Sequence, residues 1–162
     1  MSRRPVRREV LPMSATTKRL ILAATAAIAC QLVLSWLLSF IPGIDRTSTN
    51  TAFGLLQPIG YLVIALAMGV GGWLAGMRFL PVALAITLLI SLGTLLVLAY
   101  ANLPFGHASF WGNLAQGAKF YGLNVVVSLL AAALGTWAGT VWARKHPPRF
   151  AIPQGDASSV RR

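Results

Sequence analysis

Residues 69–78 read GVGGWLAGMR, and residues 134–145 read LGTWAGTVWARK. Each stretch sets two glycines four apart, Gly72 and Gly76 in the first and Gly135 and Gly139 in the second, in an apolar run that ends in positive charge. A glycine in a helix interior costs about 1 kcal/mol relative to alanine, so a notch placed twice requires a compensating gain. Lipid supplies one. Hydrophobic drive between helices is weak there, and small side chains let backbones approach closely. The reading therefore turns on whether the flanking runs are membrane helices.

Composition says that they are. The chain has 162 residues, 56% of them hydrophobic and 10% charged, whereas a soluble domain carries about 25% charged residues. Too few polar groups exist to cover a globular surface in water. The net charge of +11 does not point to nucleic acid, because the basic residues gather towards the ends and are not interleaved with aromatics. Cys30 is the single cysteine, which excludes an internal disulfide and any CxxC redox or zinc arrangement.

Crossing ~30 Å of hydrocarbon takes about 20 apolar residues. Leu20–Ile41 forms one uncharged run of that length, and Phe120–Ala143 forms another. Pro58–Tyr100 is twice as long, with Arg78 its only charge. The expectation is a turn at Arg78 and two spans, Pro58–Met77 and Phe79–Tyr100, with Pro81 in the first turn of the second, where its missing N–H does no harm. Backbone groups in lipid must be satisfied within their own segment, so the runs are helices. The expected fold is all-α: an integral membrane bundle of four transmembrane helices (20–41, 58–77, 79–100 and 120–143) between basic tails at 1–19 and 144–162.

Lysine and arginine set the expected direction. Arg3, Arg4, Arg7, Arg8, Lys18 and Arg19 precede the first helix, Arg78 occupies the middle turn, and Arg144, Lys145, Arg149, Arg161 and Arg162 follow the last. The other two connections hold only Arg46 and Lys119. The positive-inside rule then makes both termini cytoplasmic. These cations also suit anionic lipid head groups, each near-surface charge contributing about 1 kcal/mol. Trp73, Trp137 and Trp142 fall at the inner boundary, and Trp36, Tyr61, Tyr100, Trp111 and Tyr121 at the outer one, as interfacial aromatics do. From Met13, an alternative start, the sequence also has the outline of a lipoprotein signal ending at Cys30. The run QLVLSWLLSF that follows extends it to spanning length, so an uncleaved helix is the better reading.

Small residues recur with the same spacing in two helices: Ala65, Gly69, Gly72 and Gly76, then Ser128, Ala132, Gly135 and Gly139. Steps of four, three and four keep each set on one helix face. Both helices run outside to inside on the expected topology, so they are expected to pack in parallel at these faces. The first helix has Ala24, Ala27, Gln31 and Ser35 on a stripe, and the third has Ala83, Thr87, Ser91 and Thr94. The amides of Gln31 and Asn124 are expected to hydrogen-bond across the bundle. The matched glycines also suit a duplication into two hairpins.

No arrangement for chemistry emerges. The carboxylates are Glu9, Asp45 and Asp156, all outside the expected helices, and His107 and His146 fall on opposite sides of the bilayer. Acid–base catalysis, a metal or haem site, and serine hydrolysis with a nearby base therefore have no residues to carry them. No ionisable residue lies within a span, which argues against proton-coupled pumping. The small multidrug exporters, the disulfide-generating membrane proteins and the haem-binding membrane cytochromes are each excluded by a missing carboxylate, cysteine pair or intramembrane histidine.

The connection 102–122 is expected to be an aromatic loop along the outer boundary. The rival reading is a short helix capped by Ser109, with Phe110, Trp111, Leu114 and Ala118 on one face. The first outer connection, 42–57, reads as a Thr/Ser/Asn-rich turn leading into the second helix.

The expected role is a non-enzymatic protein with no cofactor, acting by helix contact as an accessory or assembly component in a bacterial inner membrane. Its partners would be anionic lipid and a membrane protein or further copies of itself, not nucleic acid. The alternative is an oligomeric channel or carrier for a small neutral or apolar solute. A holin-like role suits the size but not the number of spans.

Overall fold

Hydropathy alone joins Pro58–Ala101 into one 44-residue apolar segment. A straight helix of that length would measure ~66 Å, about twice the hydrocarbon thickness of ~30 Å. The computed structural model, which describes residues 14–41, 49–51, 54–101 and 109–147, shows how the segment is folded back. Gly76 ends the first helix with φ +69° and ψ −160°, a backbone region essentially reserved for glycine. A short 3-10 turn, Gly76–Phe79, follows.

Among the described residues there are four α-helices: α1 (Ala15–Ser39), α2 (Pro58–Ala75), α3 (Leu80–Ala101) and α4 (Phe110–Lys145). The only strands among the described residues form a small antiparallel ribbon, β1 (Thr49–Thr51) and β2 (Gly54–Leu56), in which Thr49 pairs with Leu56. By length and composition, three segments suffice to cross a membrane: Ala15–Ser39, Pro58–Ala101 and Phe110–Lys145.

Two helices begin earlier than their apolar runs. Ser14 caps α1, its Oγ accepting from the Thr17 N–H at 3.2 Å. Lys18 and Arg19 thus belong to the first turns of α1 and not to a preceding tail. Ser109 caps α4 likewise, accepting from the Gly112 N–H at 3.3 Å. The segment from Phe110 to Lys119 is neither a loop nor a separate boundary helix; it forms the opening turns of α4. Gly112, Gly117 and Lys119 make it read as a connection, but the cap and packing of Gly117 beside Leu95 of α3 hold it helical. At 36 residues, α4 is ~54 Å long and overhangs any hydrocarbon layer.

The helices pack in a definite order. α4 lies against both α2 and α3, and α1 lies against α2. Ala65 of α2 abuts Gly135 of α4, Gly69 abuts Gly139, and the Trp73 indole N–H donates to the His146 carbonyl at 2.9 Å. Both numbers rise together, so α2 and α4 are parallel. Leu95 sits beside Gly117, whereas Phe79, near the start of α3, reaches the Gly71–Gly72 level that faces Thr136. α3 is therefore antiparallel to α4.

The interior is made mostly of alanines around two larger side chains, Met68 and Phe79. Ala23, Ala27, Met68, Phe79, Ala83 and Ala132 form the buried cluster, and the largest fully buried side chains are Phe79, Met68 and Thr136. Large apolar groups point outwards: Leu32, Leu89, Val97 and Trp111 are exposed by 66%, 69%, 67% and 73%. A soluble monomer rarely shows contiguous apolar surface beyond a few hundred Å². Such an exterior is suited to lipid.

Candidate functional site

The α2–α4 seam is the most extensive helix contact among the described residues. A methyl group placed on Gly139 would overlap the carbonyl oxygen of Gly69, and one on Gly135 would overlap that of Ala65. One on Gly72 would overlap the Thr136 carbonyl and stand 2.9 Å from the Thr136 Cα, whereas one on Gly69 would stand 3.3 Å from the Gly135 oxygen. Main chain therefore meets main chain, which no larger residue at Gly72, Gly135 or Gly139 would permit. Ser128 and Ala132 are buried on the same α4 face.

Gly76 is not part of the seam. A Cβ there would meet nothing within 4 Å. Its spacing places it in register with Gly69 and Gly72, but α2 stops at Ala75 and Gly76 serves the reversal instead. Gly71, next to Gly72 in sequence, has a role that the spacing does not announce: the Phe79 ring folds back on it so closely that a Cβ would overlap the ring.

Two threonines complete the seam. Thr136 and Thr140 follow Gly135 and Gly139 by one position and are both buried. Thr136 Oγ1 donates to the Ala132 carbonyl at 2.8 Å, and Thr140 Oγ1 donates to the Thr136 carbonyl at 2.8 Å. Thr140 Oγ1 also approaches the Gly72 carbonyl at 3.5 Å. One hydroxyl proton serves one acceptor well, and 3.5 Å is at the limit of a hydrogen bond, so the intrahelical bond dominates. In α3, Thr87 and Ser91 bond back in the same way to the Ala83 and Thr87 carbonyls. These hydroxyls satisfy themselves within their helices, which makes them compatible with lipid.

Asn124 and Gln31 do not meet. α1 packs on α2, while α4 lies across α2 and on α3, so the two amides face different neighbours. Asn124 Oδ1 accepts from the Tyr61 hydroxyl across the α2–α4 interface. The Tyr61 oxygen also accepts from the Gln57 N–H at 3.3 Å, tying the first turn of α2 to α4. Gln31 Oε1 is buried without a hydrogen-bond partner among the described residues. Cys30 beside it is half-buried. Tyr61→Phe is expected to remove the Asn124 bond and destabilise the fold by about 0.6–2 kcal/mol, measured as a shift in the midpoint of unfolding by dodecyl sulfate in mixed micelles.

Of the cations, Lys18 and Arg19 lie on α1, Arg78 in the 3-10 turn, Lys119 in α4 and Arg144 and Lys145 in its last turn, all exposed. Arg3, Arg4, Arg7, Arg8 and Arg149 lie outside the described residues, as do His107 and the three carboxylates. Among the described residues no three metal-ligating side chains come together. Comparison with family models, curated proteins and solved structures finds no match.

Proposed function

We propose that this chain is a non-enzymatic integral membrane protein that crosses a bacterial inner membrane four times, both tails cytoplasmic, and acts by helix contact within a larger membrane complex. Four crossings are supported by the reversal at Gly76, which turns a segment too long for one span into two antiparallel helices. The common side of the tails is supported by the company of the cations. The 3-10 turn carrying Arg78 packs against α1 and α4, and Ala23 and Ala27, in the first half of α1, join Phe79 in the buried cluster. The starting turns of α1, the turn and the end of α4 thus share one end of the bundle, where the positive-inside rule collects charge.

The observation that carries the contact role is the distribution of side chains. Every charged group of the described residues is exposed, and the interior is mostly small and apolar, with the Thr87 and Thr136 hydroxyls bonded back within their own helices. Such an interior holds helices together and leaves broad apolar faces of α1 and α3 for neighbours. Two measurements test this. Reporter fusions at both ends should give a cytoplasmic signal, and tails reporting from opposite faces would remove the topology. Cross-linking in intact membranes followed by purification in mild detergent should recover one defined membrane-protein partner. Recovery of the monomer alone would remove the accessory role.

A further inference from the structure

α2 and α4 touch along their glycines but diverge towards the exterior, leaving an open groove of ≈ 590 Å³. Gly69, Gly135 and Gly139 form its floor, and the exposed Leu66 and Leu134 form its rims. Trp73 and Trp142 stand at one end. That end is held by His146, whose carbonyl accepts from the Trp73 indole at 2.9 Å and whose ring lies 4.8 Å from that of Trp142. Arg144 and Lys145 occupy the same last turn of α4, and no carboxylate occurs among the described residues to neutralise them.

We infer that this groove is a binding site for one anionic phospholipid, an acyl chain lying along the glycine floor and the phosphate meeting Arg144 and Lys145. It rests on the bilayer placement proposed above and not on the accessory role. The groove's volume is that of a small-molecule site, typically ~300–1,000 Å³. From Ala65 to Trp73 it runs ~12 Å along α2, close to the depth of one leaflet, about half of ~30 Å. A transmembrane helix would need seating over both leaflets. A second copy of this chain, inserted in the same direction, would bring the same cations to the same end and repel. A lipid phosphate neutralises them, and its chain replaces the contacts that the bare floor lacks. The tryptophans at the charged end occupy the level that indoles favour at a head-group boundary.

The test is native mass spectrometry of the full chain released from detergent micelles, with phosphatidylglycerol or phosphatidylcholine of identical chains added. The wild-type protein should retain one phosphatidylglycerol in preference to phosphatidylcholine, and soluble glycerol phosphate should not bind. Each near-surface cation contributes about fivefold to affinity for an anionic head group. The pair Arg144→Gln and Lys145→Gln should therefore lower the preference by about twenty-five-fold while leaving a shared affinity for the chains. Ala138→Phe, at an exposed position on the groove wall, should fill the groove without reaching the seam and abolish retention of both lipids, with its unfolding midpoint unchanged.

Equal retention of the two lipids by the wild-type chain would overturn the site. So would undiminished retention in Ala138→Phe, binding of glycerol phosphate as strong as that of the lipid, or a dimer that Ala138→Phe dissolves. Membrane fractionation keeps the two readings apart: a chain that stays with bilayers after alkaline washing retains its placement whatever the lipid result.

Discussion

Gly139→Leu is expected to separate α2 from α4 and cost more than about 3 kcal/mol, beyond the usual range for overpacking. The reason is what the new side chain would strike. At most packed positions a neighbouring side chain can rotate away, but at Gly139 the obstacle is the Gly69 main chain. A helix backbone cannot yield locally without breaking its own hydrogen bonds, so the whole seam must open. Gly139→Ala should already cost about 1–3 kcal/mol, and Gly72→Leu and Gly135→Leu should behave like Gly139→Leu, since each meets main chain. Unfolding in mixed micelles, followed by tryptophan fluorescence, measures this directly because Trp73 and Trp142 flank the seam. Gly93 and Gly122 are the controls. Both are helical, and a Cβ on either would meet nothing within 4 Å. Gly93→Ala and Gly122→Ala should be neutral or stabilising by up to about 1 kcal/mol, the helix-propensity gain. Equal costs at seam and control glycines would show that the contact is elsewhere.

Phe79→Ala should be the most damaging truncation. Phe79 is fully buried and links the reversal to the interior, where it joins Ala23, Met68 and Ala83. Removing a buried phenylalanine costs about 3–5 kcal/mol in soluble proteins, a sum of transfer and cavity terms. Where the solvent is itself hydrocarbon the transfer term shrinks, so the low end of that range is expected. A double-mutant cycle identifies the mechanism. Gly71→Ala should be destabilising in the wild-type chain, because its methyl would overlap the Phe79 ring. In the Phe79→Ala background the same methyl enters vacated space and its cost should vanish, giving a coupling of about 0.5–3 kcal/mol. Additive effects in the cycle would show that ring and glycine do not touch.

The apolar runs were legible because lipid leaves a spanning segment little choice. Residues that cannot be hydrated must bond their own backbone, and the helix is the local way to do so. The helix starts were partly legible: Ser109 was a recognisable cap, whereas Ser14 and the turn it opens were hidden because Lys18 and Arg19 read as tail. A cap acts on the backbone whatever the hydropathy of the residues that follow, so an apolar window misses it.

The seam shows the same division. Spacing at four, three and four places Gly69 and Gly72 on one face of α2, and Gly135 and Gly139 on one face of α4. That is a property of one helix and can be counted along the chain. What stands opposite is a relation between residues far apart in sequence, and no spacing within one helix contains it. Hence Gly76, in perfect register, turns the chain instead of packing, and Gly71, off the stripe, carries the Phe79 ring. Hence also Asn124 bonds Tyr61 across the α2–α4 interface, while Gln31 Oε1 has no hydrogen-bond partner among the described residues. The sequence by itself determined the helical, lipid-suited character of the chain and the small residues available for close approach. The tertiary structure alone decided which of them are in contact, because packing depends on how separate helices are laid together in space.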